Sequence, residues 1–299
     1  MREAMKWVRW RTGGRIIGAA LLVLAVSGCA VVQLAYNQAP AWTSWWINGY
    51  ADLDDEQGPR TREAIDAFFR WHRSTQLPEY AAMLTRMQAQ AQDNTSAAAL
   101  CRWEPELRQK AEVALMQMVV PAAELAVTLT PQQLRHIEKR YERNNKEFRE
   151  EYLQPDPKER REELLDKTVE RLEKLYGRLE APQRERVAQA LLASPFDPEQ
   201  WNQERLARQR DTLQTLRSLK VDGRAVPAAQ AQAAVRDLMG RWLHSPRPAY
   251  EAYQRRLVDY NCSWLAELHN GTSPAQRKAA RDKLRGWADD ARALAGASG

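Results

Sequence analysis

Four similar helix starts recur along the chain and constrain its fold more than any other feature. At each start a capping residue is followed by proline, and glutamate or glutamine stands three residues after the cap. The four starts are Thr130-Pro131-Gln132-Gln133, Asp156-Pro157-Lys158-Glu159, Asp197-Pro198-Glu199-Gln200 and Ser273-Pro274-Ala275-Gln276. These residue types satisfy the free N–H groups of a first helical turn, and proline suits the first helical position. The repetition predicts a series of helices joined by short turns.

Apolar residues keep helical spacing between these starts. One stripe consists of Leu134, Ile137, Tyr141, Phe148 and Tyr152. No stretch shows the sustained alternation that is typical of strands. We therefore predict an all-α fold, a multi-helix bundle of antiparallel helices joined by short capped turns, with no sheet. Residues 51–296 are expected to form one helical body and a single domain.

The charged segment 132–179 has few apolar positions per turn. This pattern predicts an antiparallel pair of helices with one solvated face, and Pro155 and Pro157 mark the turn between them. Asn144 and Asn145 interrupt the first apolar stripe. They are either solvated residues or polar contacts in a seam between helices.

An acidic turn precedes an earlier predicted helix. Asp52, Asp54, Glu56 and Glu63 match part of a calcium-loop template, but Gln57 stands where the sharp turn requires glycine. The alternative is a helix start in which Asp54 is the N-cap and Gln57 follows three residues later. We favour the helix start.

The N-terminus has the pattern of a secretory leader. An apolar run over residues 16–26 follows five basic residues and is too short to span a membrane. Val26-Ser27-Gly28-Cys29 resembles a bacterial lipobox, in which the cysteine is acylated and the chain is cut before it. We therefore predict a signal peptide over residues 1–28 and a lipid anchor on Cys29 that holds the protein at the bilayer. A cleaved leader that ends in cysteine by coincidence is the alternative.

Cleavage changes the net charge that matters for partners. The formal charge of the full chain is +6, and it falls to +2 because the leader carries five basic residues and one acidic residue. Basic and acidic residues are interspersed in the remainder, so we expect no nucleic-acid partner. Ala30 follows the predicted lipidated cysteine. The absence of aspartate at this second position resembles the pattern of lipoproteins that are sorted to the outer membrane. We expect a protein of the outer membrane that faces the periplasm.

Aromatic residues crowd the segment after the predicted anchor. Residues 29–50 are expected to contain the anchor and a first helix, on which Trp42, Trp45, Trp46 and Tyr50 share one face. This face could pack in the core, as aromatic stripes more often do, or it could contact the membrane or a partner.

Two cysteines remain after the predicted lipidation site. In an oxidising periplasm Cys101 and Cys262 are expected to form a disulfide across 161 residues of chain. Two unpaired thiols are the alternative.

The sequence offers little support for catalysis. Its four histidines lie far apart, and the mature chain has no Cys-x-x-Cys pair, nucleophile elbow, phosphate-binding loop or dinucleotide fingerprint. We therefore predict no metal, no cofactor and no catalytic residue. A pair of carboxylates that cleaves a glycosidic bond could still be present, which keeps a cell-wall-acting enzyme as an alternative.

Several short runs resemble those of a known family. They are Leu34-Ala35-Tyr36-Asn37-Gln38-Ala39-Pro40, Trp45-Trp46, Tyr50 through Gln57, Trp71-His72-Arg73 through Tyr80, Cys101-Arg102-Trp103-Glu104, Asn261-Cys262-Ser263-Trp264 and Ser273-Pro274-Ala275-Gln276-Arg277. With the lipobox they resemble a family of uncharacterised proteobacterial lipoproteins, domain of unknown function 6279. The resemblance spans nearly the whole mature chain and implies no established activity or catalytic residue.

A second resemblance concerns one helix start. Leu129-Thr130-Pro131-Gln132-Gln133 is similar to the LTxxQ motif of periplasmic stress chaperones, which are small helical proteins that hold unfolded clients on a concave surface. Leu53-Asp54-Asp55-Glu56-Gln57 departs from the motif at threonine, and Thr272-Ser273-Pro274-Ala275-Gln276 departs at leucine. Helix capping alone selects these residue types, so the resemblance implies chaperone activity by analogy only.

These features together predict a non-enzymatic scaffold or binding protein of the cell envelope. It would be held at the outer membrane by acylated Cys29 and would meet other envelope proteins through one helix face. A periplasmic client binder of the LTxxQ type is the first alternative.

Overall fold

The computed structural model describes residues 28–154 and 156–296. The predicted signal peptide therefore lies almost wholly outside the described residues, as does Pro155 in the predicted turn. The described chain consists of helices with one minor two-stranded sheet, which confirms the predicted all-α bundle.

The helices follow one another with short connections. They are α1 (Gly28–Ala51), α2 (Gln57–Trp71), α3 (Leu77–Gln90), α4 (Ala97–Cys101), α5 (Trp103–Gln117), α6 (Val119–Thr128), α7 (Pro131–Tyr152), α8 (Pro157–Tyr176), α9 (Ala181–Ala193), α10 (Pro198–Ser218), α11 (Ala228–Leu243), α12 (Pro248–Asn270) and α13 (Pro274–Gly296). A π-helical turn, His72–Gln76, joins α2 to α3. The four predicted starts open α7, α8, α10 and α13, each with proline as its first residue.

A short hairpin corrects the prediction of no sheet. Strand β1 (Lys220–Val221) pairs antiparallel with β2 (Arg224–Ala225). Asp222 and Gly223 connect them with φ angles of 49° and 76°, the left-handed backbone that tight hairpin turns require. The Asp-Gly pair is a hairpin signal in the sequence, but strands of two residues are too short to show alternation.

Three clusters of buried apolar side chains form the interior. One lies around Val235 and joins α6, α11 and the end of α10. A second lies around Val187 and joins α8, α9 and α12. The third lies around Ile137 and joins the end of α1 to α7 and α10. Leu216 packs against both the first and the third cluster, so these two are continuous.

The predicted pairing of α7 with α8 is wrong. The main neighbours of α7 are α1 and α10, whereas those of α8 are α9 and α13. Asn145 is buried between α7 and α10, where its amide and that of Gln209 exchange hydrogen bonds of 2.8 and 2.9 Å. Asn145 is therefore a polar contact in a helix seam, one of the two predicted alternatives, although its partner helix is α10.

Two buried glutamines join the starts of α2 and α7. The side-chain oxygen of Gln57 accepts the N–H of Asp54, and that of Gln133 accepts the N–H of Thr130, so each glutamine caps its own helix. The two amides also exchange hydrogen bonds of 3.3 and 2.5 Å. The remaining N–H group of Gln133 donates to the carbonyl of Asp52 at 2.9 Å. The predicted capping by Asp54 is confirmed, since its carboxylate accepts the N–H groups of Glu56 and Gln57, although the helix itself begins at Gln57.

The starts of α9 and α13 repeat this arrangement. Gln183 and Gln276 exchange two hydrogen bonds of 2.8 Å and accept the N–H groups of Glu180 and Ser273. Leu179 precedes the first of these starts as Leu129 precedes that of α7, and both leucines are buried. The same pairing of two capping glutamines therefore occurs twice, and each time it connects helices that are distant in the chain.

The C-terminal helices bind the earlier part of the chain. α13 packs along α3 and also contacts α1, where Gln33 donates a 3.2 Å hydrogen bond to the buried Asp290. The predicted disulfide between Cys101 and Cys262 is present and joins α4 to α12, with 5.6 Å between the two Cα atoms.

We expect the paired glutamines to be energetically coupled. Gln183→Ala or Gln276→Ala should lower the free energy of unfolding by roughly 2 kcal/mol, because either change removes the hydrogen bonds between the two buried amides and leaves one amide N–H without an acceptor. The double variant should cost clearly less than the sum of the two. Urea unfolding of the four proteins measures this, with the exposed Gln203→Ala as a control of little effect. Additive losses would contradict the pairing.

We expect the disulfide to contribute to stability as a single unit. Cys101→Ser and Cys262→Ser should lower the melting temperature equally, and the double variant should lose no more than either single variant. For a closed loop of this length the chain-entropy model gives about 4 to 5 kcal/mol. Thermal melts with non-reducing peptide mapping test this, and two alkylatable thiols in the native protein would refute it.

Candidate functional site

Helix α1 has two different sides. Tyr36, Pro40, Thr43, Ile47 and Tyr50 recur at intervals of three and four residues, and all five are partly buried. This spacing places them on one side of the helix. Because α1 contacts α2, α7 and α13, this side is packed against the body.

The other side of α1 presents large apolar side chains to solvent. The exposed fraction is 64% for Leu34, 58% for Trp42, 75% for Trp45 and 55% for Trp46. We call these four residues the tryptophan face. The three tryptophans thus lie on the surface and not in the core, whereas Tyr50, predicted to share their face, is partly buried. Several large exposed apolar side chains on one side of a helix mark a candidate interaction surface.

Tyr36 attaches the first half of α1 to the π-helical turn. Its hydroxyl lies 2.8 Å from Nδ1 of His72, and its ring meets Phe69 edge-on. Arg73 lies over the same ring and donates a 2.8 Å hydrogen bond to Asn37. Burial raises the pKa of Tyr36 to about 12, although Arg73 opposes this shift. The hydroxyl therefore stays protonated at any physiological pH.

The π-helical turn explains why these aromatic groups meet. A π turn adds a residue to the helical repeat and so rotates the side chains that follow it. His72 is the first residue of the turn, and its ring contacts both Phe68 on α2 and Tyr80 on α3. The two helices thereby present their rings to the same part of α1.

Tyr50 attaches the second half of α1 to α7. Its ring lies 4.6 Å from that of Trp46 and 6.1 Å from that of Tyr141, measured between centroids. Asn144 donates a hydrogen bond to the Tyr50 hydroxyl, and Arg140 lies over the ring. The two tyrosines hold opposite ends of α1 while the tryptophans between them point outward.

The four histidines have separate partners. Their hydrogen-bond partners are the Tyr36 hydroxyl for His72, the Gly49 carbonyl for His136, Arg108 for His244, and the Tyr176 hydroxyl and Asp93 carbonyl for His269. Within residues 28–154 and 156–296, no three His, Cys, Asp or Glu side chains are grouped to hold a metal ion.

Glu204 is a buried carboxylate, but its surroundings are those of a structural ion pair. Burial alone would raise its pKa, yet hydrogen bonds from Arg247 and Arg208 lower the pKa below the usual glutamate value. Both arginines lie within ion-pair distance, at 2.5 and 2.7 Å. A general acid in glycoside cleavage needs a raised pKa, so Glu204 does not suit that role.

The length and hydropathy of the described helices bear on whether one could span a membrane. None of them alone is both long and apolar enough to cross a bilayer. The segments Ala97–Gln117 and Val119–Thr128 reach these values only together, with a bend of 48° between them.

Comparison with protein families identifies the chain. The model of the family of unknown function DUF6279 matches residues 49–225, which is more than half of the sequence. The chain belongs to this family. The matched region runs from the end of α1 to the hairpin and includes Tyr50, the π-helical turn and α7. No curated protein and no solved structure matches the chain.

Several residues of this site are not among the site residues predicted from the sequence. Tyr36, His72 and Arg73 lie in runs that carry the family resemblance, but no chemical motif distinguishes them. The available signal is spacing, because Tyr36 and Tyr50 are fourteen residues apart and so lie on nearly the same side of a helix. The two tyrosines thus identify the side of α1 that packs against the body, and the opposite side is then the exposed one.

We expect the partly buried His72 and the buried His269 to make stability fall in mild acid. Burial lowers the pKa of His72 and of His269 below 6.5, so near that pH the unfolded chain binds more protons than the folded chain. Their contribution is complete above about pH 6.5 and is lost as the pH falls below it. Urea unfolding from about pH 8 to pH 5 should show a shallower slope for His269→Gln than for wild type. The exposed His244→Gln is the control, and an unchanged slope in His269→Gln would contradict the expectation.

Proposed function

We propose that this protein is a non-enzymatic, lipid-anchored scaffold or binding protein on the periplasmic face of the outer membrane. The tryptophan face of α1 carries this proposal. It is the exposed side of a helix that begins at Gly28, with the predicted lipidation site Cys29 in its first turn. The side chain of Cys29 lies outside the described residues, so the anchor rests on the lipobox and the leader.

The surroundings of the polar groups support a binding role. The buried glutamines and Glu204 are satisfied by partners within the fold. Their chemistry is thereby used for structure, in contrast to a catalytic group, which must reach a substrate. The tryptophan face, by contrast, is exposed apolar surface, which favours association over catalysis.

A client-binding chaperone is the second candidate. A groove of about 600 Å³ runs between α2 and α6, beside the first glutamine pair, and includes Ile65, Pro121 and Leu125. However, Gln57 and Gln133 use their amides to cap and join helices, so the LTxxQ-like motif needs no client to explain it. Suppression of the aggregation of an unfolded protein, lost in Leu125→Asp, would favour this candidate.

The anchor is tested by Cys29→Ala. Wild-type protein should carry acyl chains on Cys29 and sediment with outer membranes, whereas the variant should accumulate as an unacylated precursor. Mass spectrometry of the N-terminal peptide and membrane fractionation measure both results. If the variant is still processed and still acylated, the anchor assignment is wrong.

A further inference from the structure

We propose that the tryptophan face lies flat on the lipid bilayer, at the level of the headgroups, and gives the protein a second membrane contact beside its anchor. This inference rests on the proposed function, because it requires the N-terminus of α1 to be at a membrane. The partner is the lipid surface itself.

The face has the shape of an interfacial contact. Leu34 and Trp46 are twelve residues apart in one helix, which corresponds to about 18 Å along the helix axis. With Trp42 and Trp45 they form a strip along α1 rather than a tip at one end. A helix that lies in the plane of a membrane buries a strip of this kind between the headgroups and the acyl chains.

The chemistry of the strip fits this depth. An indole ring combines a large apolar surface with an N–H donor, and tryptophan is enriched at membrane–water interfaces. No Asp, Glu, Lys or Arg occurs in α1, so contact with lipid would desolvate no charge on this helix. Gln38 and Asn48 are also exposed, and their amides can keep hydrogen bonds with water and headgroups.

The sequence before α1 indicates that the partner of the tryptophan face is the bilayer. The apolar run of residues 16–26 ends just before Cys29, and α1 begins at Gly28. Under the proposed function, acyl chains on Cys29 tie the first turn of α1 to the bilayer. Leu34 follows Cys29 by five residues of the same helix, about 8 Å. The strip thus starts at the membrane without an intervening linker.

Arg73 supplies a cation at the edge of the strip. Its guanidinium donates to Asn37, which lies on α1 one turn after Leu34 and is itself exposed. Arginine binds phosphate oxygens with its paired N–H groups, and anionic headgroups attract it. A lipid phosphate beside Asn37 would therefore complement the apolar contact of the tryptophans.

The position of the face can be measured by fluorescence quenching with brominated lipids. The protein as isolated from envelopes is reconstituted into phosphatidylethanolamine and phosphatidylglycerol vesicles, with or without bromine near the headgroup end of the acyl chains. Three of the nine tryptophans after Cys29 belong to the face, so bromine should remove roughly one third of the emission. The triple variant Trp42→Phe, Trp45→Phe, Trp46→Phe should retain almost all of its emission, because phenylalanine keeps the apolar surface without the indole signal.

Trp201→Phe is the matched control, because Trp201 is 38% exposed and lies on α10. This variant should lose at least as large a fraction of its emission as wild type. If quenching is equal in wild type and the triple variant, or absent from both, while Cys29 is acylated, the inference fails and the proposed function stands. If Cys29 carries no acyl chain, the proposed function fails, and quenching that requires the three tryptophans still supports the lipid contact.

Discussion

The paired glutamine amides are the contact on which the rest of the arrangement depends. A buried donor or acceptor without a partner costs about 1 to 3 kcal/mol, so burial of each of these amides is favoured where its partner glutamine is also in place. Gln57 and Gln133 are 76 residues apart, and Gln183 and Gln276 are 93 residues apart. The same amides cap their own helices. One interaction therefore fixes both where a helix begins and which distant helix begins beside it.

Asp52 extends this constraint to α1. Its carbonyl accepts a hydrogen bond from Gln133 directly after α1 ends at Ala51. Its φ of 50° is uncommon for a residue other than glycine and reverses the chain toward α2. The position of Gln133 thus limits how α1 can turn about its own axis. Together with Tyr36 and Tyr50 it commits one side of α1 to the body and leaves the tryptophan face outside.

The helix starts could be predicted and their partners could not, for one physical reason. Capping depends on residues within one turn, so Thr130 and Gln133 suffice to mark the start of α7. The start of α9 is not predicted in this way because Glu180 is not one of the usual N-cap residues, although Gln183 caps the helix as Gln133 caps α7. An apolar stripe fits many neighbours. The choice of α10 for α7 includes the amide pair of Asn145 with Gln209, which no spacing rule predicts.

The aromatic segment shows the limit of periodicity most clearly. Intervals of three and four residues group Trp42, Trp45, Trp46 and Tyr50 in one broad stripe, and the same stripe would suit a core or a surface. In the folded protein, hydrogen bonding separates Tyr50 from the three tryptophans. The Tyr50 hydroxyl accepts a hydrogen bond from Asn144, so partial burial of this side chain costs little free energy. The tryptophans remain as an exposed apolar strip. Since that strip starts within two turns of the predicted anchor, the leader and the aromatic helix, which look like separate sequence features, would act at the same membrane surface under the proposed function.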